Sequence, residues 1–178
     1  FPSILDAAER LKYRDDIRWL IVGDGRIAPW VRAEIARRGL TERVLMLGRF
    51  PVERMPSFFY HADALLVSLK ADPVFAMTAP GKIQSYLAFG RPILAMLDGE
   101  GASIIRDARA GFTSPAADSE GLAVNAARLA DMSAEERASM GVNGVAYAKK
   151  EFDREVLFDR LESWLIEVAD SSAVFASR

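Results

Sequence analysis

The sequence of 178 residues contains no cysteine, one histidine, no apolar run of membrane-spanning length and no excess of one charge. The first absence excludes disulfides, thiolate metal sites and a cysteine nucleophile, and favours a reducing compartment. The single His61 leaves no room for a histidine-rich zinc site, and its place at a helix end before a strand reads as structural. Lys and Arg total 23 against 25 Asp and Glu, with both signs interspersed. That balance lacks the basic footprint of a nucleic-acid binder. Neither a signal peptide nor a transmembrane segment is recognisable, so a soluble chain is expected. Repeats, low-complexity tracts and linkers are also missing. What is present is a hydrophobic content of 51%, enough for one domain with its own core. The chain opens at Phe1 inside a helix approach, without an initiator methionine, and is expected to be a piece of a longer protein.

Helix and strand patterns alternate. Ile4, Leu5, Ala8 and Leu11 repeat at helical spacing, with Ser3 as the candidate cap and a helix to about Tyr13. Residues 19–22 read as a strand ending in Gly23-Asp24-Gly25, a turn at a strand's carboxyl end, where open parallel sheets gather ligands. Ala28 stands where a third glycine would complete G-x-G-x-x-G, so Gly23 and Gly25 form either a tight turn or a ligand-facing one. A helix through Trp30, Val31 and Ile35 ends at Gly39 and precedes the strand 44–47. Arg49 after that strand is a phosphate contact or a solvated loop charge. Met55, Phe58 and Phe59 mark a short helix ending near His61. The run 64–69 reads as a strand covered on both faces, with Asp63 capping the turn into it. Residues 70–79 read as an irregular loop, of the kind that carries function.

The segment Pro80 to Ala95, PGKIQSYLAFGRPILA, organises the rest. Pro80 suits the first helical position after Thr78 and Ala79, and Gly90 closes the helix. Ile83, Tyr86 and Leu87 share one face, while Lys82, Gln84 and Ser85 lie beside the uncapped first N–H groups, which attract anions. After Arg91-Pro92, residues 93–96 read as a buried strand feeding the loop Asp98-Gly99-Glu100-Gly101. Ser103 is placed at the start of a helix closed by Gly111, and 112–114 as a short edge strand. Strands then cease. Asp118 or Ser119 caps one helix. Ser133 and Glu136 have capping-box spacing for a second, loosened by Gly141 and Gly144. Asp153 caps a third, whose stripe runs from Val156 and Leu157 through Leu161, Trp164 and Leu165 to Val168. The pattern predicts an α/β fold, a Rossmann-like parallel sheet with helices on both faces and three C-terminal helices. The expected domain is 1–170, with a tail at 171–178.

A helix opened by Pro80-Gly81-Lys82, closed by Gly90-Arg91-Pro92 and followed by a glycine-rich acidic loop resembles the donor-binding half of a retaining GT-B glycosyltransferase of family 4, in the branch that builds bacterial surface polysaccharides. Gly23-Asp24-Gly25 and residues 62–68 strengthen the likeness, which covers about 4–168. The resemblance implies a missing first strand with part of the phosphate site, a missing N-terminal GT-B domain, and a last helix that crosses to that domain. Without it, an exposed apolar face and some homo-association are expected. The implied reaction is hexosyl transfer from a UDP- or GDP-sugar to a lipid-linked or saccharide acceptor, with no cofactor or metal. Consistent with this, the sequence has no Asp-x-Asp, the metal pattern of the other major glycosyltransferase fold.

The implied donor site comprises Gly23, Gly25, Thr78, Pro80, Gly81, Lys82, Gln84, Ser85, Gly99 and Glu100. Helix N–H groups and Lys82 would meet the diphosphate. The family's E-x7-E falls on Met77 and Ser85, so both glutamates are replaced. Gln84 or Ser85 then serves the ribose without charge assistance, and Glu100 is either a substitute or a solvated carboxylate. No catalytic residue is assigned, and the fragment alone is expected to be inactive. The parent enzyme is expected in the cytoplasm, free or at the inner face of the cytoplasmic membrane. A nucleotide-sugar epimerase of the same architecture and a non-catalytic nucleotide-binding module are the alternatives.

Overall fold

The computed structural model describes the backbone of residues 1–176 and the side chains of 1–169. Its elements alternate as α1 (Pro2–Arg10), β1 (Trp19–Val22), α2 (Ala28–Arg37), β2 (Val44–Gly48), a 3-10 turn with α3 (Met55–His61), β3 (Leu65–Ser68), α4 (Pro73–Ala76), α5 (Gly81–Phe89), β4 (Ile93–Met96), α6 (Glu100–Asp107), β5 (Gly111–Ser114), α7 (Ser119–Asp131), α8 (Ala134–Glu151) and α9 (Arg154–Ala176). All strand pairs are parallel, as the alternation requires. They form two sheets, β1-β2 and β3-β4-β5. In the second, Leu65 pairs with Ile93 and Ile93 with Gly111, leaving β5 at an edge.

Every residue of β4 is buried, because adjacent side chains face opposite layers and both layers are covered. Leu94 and Met96 join a cluster with Leu5 of α1, Val31 and Ile35 of α2, and Leu122 of α7. Ile93 and Ala95 join Ile83 and Leu87 of α5, Ile105 of α6 and Ala148 of α8. Helices therefore cover both faces. The first cluster also takes Trp19 and Val44, so one core spans the two sheets. Each fully buried Leu or Ile contributes about 1.5–3 kcal/mol.

Several boundaries differ from expectation for local reasons. Ser3 is not the cap of α1, since the N-cap is Phe1 with no side-chain bond and Pro2 opens the helix. Pro80 sits one place earlier than expected, as the N-cap of α5 in extended conformation. The loop 70–79 contains α4, capped by Asp72, whose carboxylate accepts from the Val74 N–H at 2.9 Å. Glu100 and Gly101 belong to α6, and Gly111 to β5. Asp63 pairs with Arg137 at 3.7 Å rather than capping a turn. Asp118 caps α7, the Ser133–Glu136 box closes at 3.1 and 2.8 Å, and Asp153 accepts from Glu155. Helix α8 runs unbroken through Gly141 and Gly144, and both are buried in it. Helix α9 continues through Ala176, over most of the stretch expected as a tail, and 177–178 lie outside the described residues.

Candidate functional site

The carboxyl ends of the strands share one side of the molecule. The charge of Lys70, two residues past β3, reaches Phe1, so α1 starts near the end of β3. The helix then runs away and the chain returns through β1, which gives β1 the same sense as β3.

At the amino edge of the sheet, just before β4, α5 is closed by Gly90 in the left-handed region, φ 78° and ψ 38°. Its opposite end has no side-chain cap. The Ile83 N–H turns back to the Pro80 carbonyl at 2.9 Å, and the Gly81 and Lys82 N–H groups meet no acceptor among the described residues. Lys82 is exposed beside them and enters no ion pair among the described residues. Helix N–H groups, dipole and cation thus converge on one spot, an arrangement that suits an anion.

Thr78 donates its hydroxyl to the Val74 carbonyl at 2.9 Å, and Ser85 donates to the Gly81 carbonyl at 3.2 Å. Both oxygens keep lone pairs but have committed their protons inside the chain. Gln84 is exposed on the first turns of α5, and Met77 is 77% exposed.

The turn after β4 closes against this end of α5. Gly99, with φ +71°, lies so near α4 that an added Cβ would stand 1.9 Å from the Ala76 carbonyl oxygen. A Cβ on Gly101 would meet Pro80 Cδ at 3.2 Å and Ile83 Cδ1 at 2.9 Å. Thr78, Pro80, Gly81, Gly99 and Glu100 are therefore neighbours. Glu100 is exposed in the first turn of α6, where the dipole favours a carboxylate.

Gly23 and Gly25 stand at the end of β1, in the other sheet. The Gly23 N–H donates to the Gly48 carbonyl at 2.7 Å with φ +133°, which only glycine adopts easily, and the Gly25 N–H is held by Asp24 at 2.9 Å. This turn bridges β1 to β2, and an added Cβ on Gly23 or Gly25 would meet nothing within 4 Å, so both glycines border open space. His61 ends α3 with its ring edge-on to Tyr60.

Of the other edge cations, the sequence points to Arg49 but not to Arg26 or Lys70. Arg26, Arg49 and Lys70 follow the ends of β1, β2 and β3 and, like Lys82, form no salt bridge among the described residues. Arg14, Arg38, Arg43 and Arg137, by contrast, are each paired with carboxylates. The available signal was a basic residue shortly after each of three successive strands.

Fold and edge together define a Rossmann-like α/β domain whose ligand side is the carboxyl edge. The chain belongs to the family of glycosyl transferases group 1, whose model matches residues 2–132. Among curated protein sequences, none is significantly similar. Solved structures share the fold. A glycosyltransferase from Rickettsia africae is 17% identical with a TM-score of 0.76, the match covering 94% of this chain and 44% of that one. HepE from Anabaena, solved with UDP and glucose, is 21% identical with a TM-score of 0.72 over 92% of this chain and 43% of its own. The C-terminal domain of LpcC, a group 1 family protein from Francisella tularensis, is 17% identical with a TM-score of 0.69, covering 85% of this chain and 78% of that one. The chain thus spans less than half of the first two and has the architecture of one GT-B half-domain.

Proposed function

We propose that this chain is the donor-binding half of a retaining, family 4 type glycosyltransferase that moves a hexose from a UDP- or GDP-sugar to a lipid-linked or saccharide acceptor in surface polysaccharide synthesis. The observation that carries the reading is the uncapped end of α5, with free Gly81 and Lys82 N–H groups beside the exposed Lys82 side chain. As the bond from the sugar to the diphosphate breaks, negative charge collects on the departing phosphate oxygens. Preorganised N–H dipoles and a cation at that point stabilise the charge more in the transition state than in the ground state. In this scheme they do the work of a metal, and transfer is metal-independent. The HepE structure holding UDP lends the donor class its support.

The base and ribose are assigned to the β1–β2 side, near Gly23 and Gly25, with the diphosphate on α5 and Gln84, Ser85 and Glu100 around the sugar and ribose hydroxyls. The interval between β1 and β3 is assigned to a further parallel strand preceding Phe1; the unpaired inner edges of both sheets and the start of α1 beside Lys70 support it. An N-terminal domain supplies the acceptor site and the catalytic groups, and the half alone is inactive. No described helix is long and apolar enough to cross a membrane. The whole enzyme is placed in the cytoplasm, where nucleotide-sugars are the donors, or against the inner membrane face where a lipid-linked acceptor resides.

Titration calorimetry with UDP, GDP, ADP and NAD tests this on a chain that includes the preceding strand. Preference for UDP or GDP, with the Lys82–Gly90 amides protected from exchange, is the expected result. Binding of NAD alone, or of none of the four, rejects the donor site. A second reading, a module that binds nucleotide without chemistry, draws on the exposed Met77 where the family has a glutamate. Nucleotide binding by the full-length protein with no sugar transfer would favour it.

A further inference from the structure

Helix α5 is seated on α8 by close backbone contact as well as by side-chain packing. An added Cβ on Gly141 of α8 would stand 2.1 Å from the Gly90 carbonyl oxygen and 2.8 Å from its carbon. Real Cβ atoms essentially never approach within 3.0 Å, so one methyl there must displace backbone. In the other direction, a Cβ on Gly90 would meet Val145 Cγ2 at 2.9 Å. Gly144 lies one turn on from Gly141, where a Cβ would touch Leu87 Cδ2 at 3.3 Å and the Leu87 carbonyl at 3.4 Å, a tight but yielding fit. At its other end α5 rests on Gly101, whose missing Cβ leaves room for Pro80 and Ile83. The helix is thus clamped between α8 at its C-terminus and the first turn of α6 at its N-terminus.

Helix α8 is itself firmly placed. Its capping box closes, and Arg137 donates to the Met132 carbonyl at 2.5 Å while pairing with Asp63. A rigid support meeting a helix of nine residues, about 13 Å long, sets where both ends of that helix lie.

We infer that Gly141 is a positioning residue for the donor site. By admitting the Gly90 carbonyl against α8, it fixes the axis of α5 and hence the place of the Gly81 and Lys82 N–H groups, although it touches no ligand. The inference rests on the donor-site reading for its ligand but not for its geometry. Gly141→Ala pushes the C-terminal end of α5 away from α8 and tilts the N-terminus out of register with a diphosphate. Gly144→Ala, whose neighbours can give by a few tenths of an ångström, shifts it far less.

The test compares three variants of the full-length protein: Gly141→Ala, Gly144→Ala and Leu129→Ala. The last opens the core on the other face of the sheet, away from α5. Each is examined for UDP affinity by calorimetry and, without ligand, for hydrogen exchange at the Lys82–Ser85 amides, at matched intervals below its own Tm. The expected result is UDP affinity lowered about tenfold or more in Gly141→Ala, with faster exchange at those amides, a smaller change in Gly144→Ala, and no change in Leu129→Ala despite its lower Tm. Gly141→Ala with wild-type affinity and exchange overturns the inference, as does an equal loss in Leu129→Ala. If Gly141→Ala does not fold, Gly144→Ala decides by the same two readouts against Leu129→Ala. Failure of the unaltered chain to bind UDP rejects the donor-site reading, while the ligand-free exchange comparison still decides whether Gly141 seats α5.

Discussion

Lys82 is exposed, unpaired and adjacent to two free amides, so its removal leaves few packing contacts to lose. Lys82→Ala is expected to keep the wild-type Tm within about 0.5 kcal/mol of stability while weakening UDP binding by roughly 10- to 100-fold, the worth of one charge-assisted contact of about 1.5–3 kcal/mol. Thermal denaturation and calorimetry on the same preparations check both halves; a fall in Tm with unchanged affinity would make Lys82 structural. The opposite profile belongs to Leu122, fully buried between α7 and the sheet. Leu122→Ala is expected to cost about 2–5 kcal/mol with UDP affinity unaltered in the folded fraction, measured by urea unfolding and titration. At this scale the motif around Lys82 was legible because Pro, Lys and Gly act through local backbone geometry. Gly141 was not, because helix propensity reads a glycine as weakness and says nothing of a carbonyl arriving from 51 residues away in the chain.

Between elements, charge does part of the fastening. Arg38 at the end of α2 reaches Asp6 and Glu9 of α1 at 2.5 and 3.1 Å while holding Glu34 at 3.0 Å. Hydrogen bonds from Arg37 and then Arg38 hold the Glu34 carboxyl down at about 2, and the Arg14 guanidinium does the same for Asp16, also to about 2. Folded pKa values lie below the unfolded ones, so these groups add stability above the ordinary carboxylate range and lose it as pH falls through their folded values. Stability is therefore expected to be level above about pH 5 and to decline between about 4.5 and 2, more gently for Arg38→Met, which removes the α1–α2 tie. Acid titration followed by circular dichroism tests it; parallel declines in both proteins would assign acid sensitivity elsewhere. The strands were legible as elements because each is a short apolar run between turn residues, and the run 93–96 read as buried, as β4 is. Element starts were less so. Helix α6 begins at Glu100 because Gly99 takes a positive φ, and α4 forms because Asp72 caps it, two local events hidden inside stretches that read as loop.

Across the whole molecule one core joins two sheets that share no hydrogen bonds. Local pattern cannot report this, since strand order depends on pairings between distant segments and a run such as Leu65–Ser68 looks the same with one partner or two. The resemblance to a family supplies an expectation at this scale, a strand before Phe1, which the proposed reading sets between the two sheets. The other whole-molecule feature is α9, which leaves the body after its first turns. Leu161, Trp164, Leu165 and Val168 are 48%, 62%, 62% and 64% exposed, an apolar stripe at helical spacing. Under the proposed reading the stripe belongs against the absent domain. In the isolated chain it faces water, and self-association is the available way to cover it. Sedimentation velocity across a concentration series is expected to show reversible association of the isolated chain, abolished by the double substitution Leu161→Asp and Trp164→Asp. Because both side chains are exposed, that variant should retain its Tm. In the full-length protein the same pair should instead lower activity by loosening the two domains, whereas a monomeric isolated chain and an unaffected full-length enzyme would leave α9 no interdomain role.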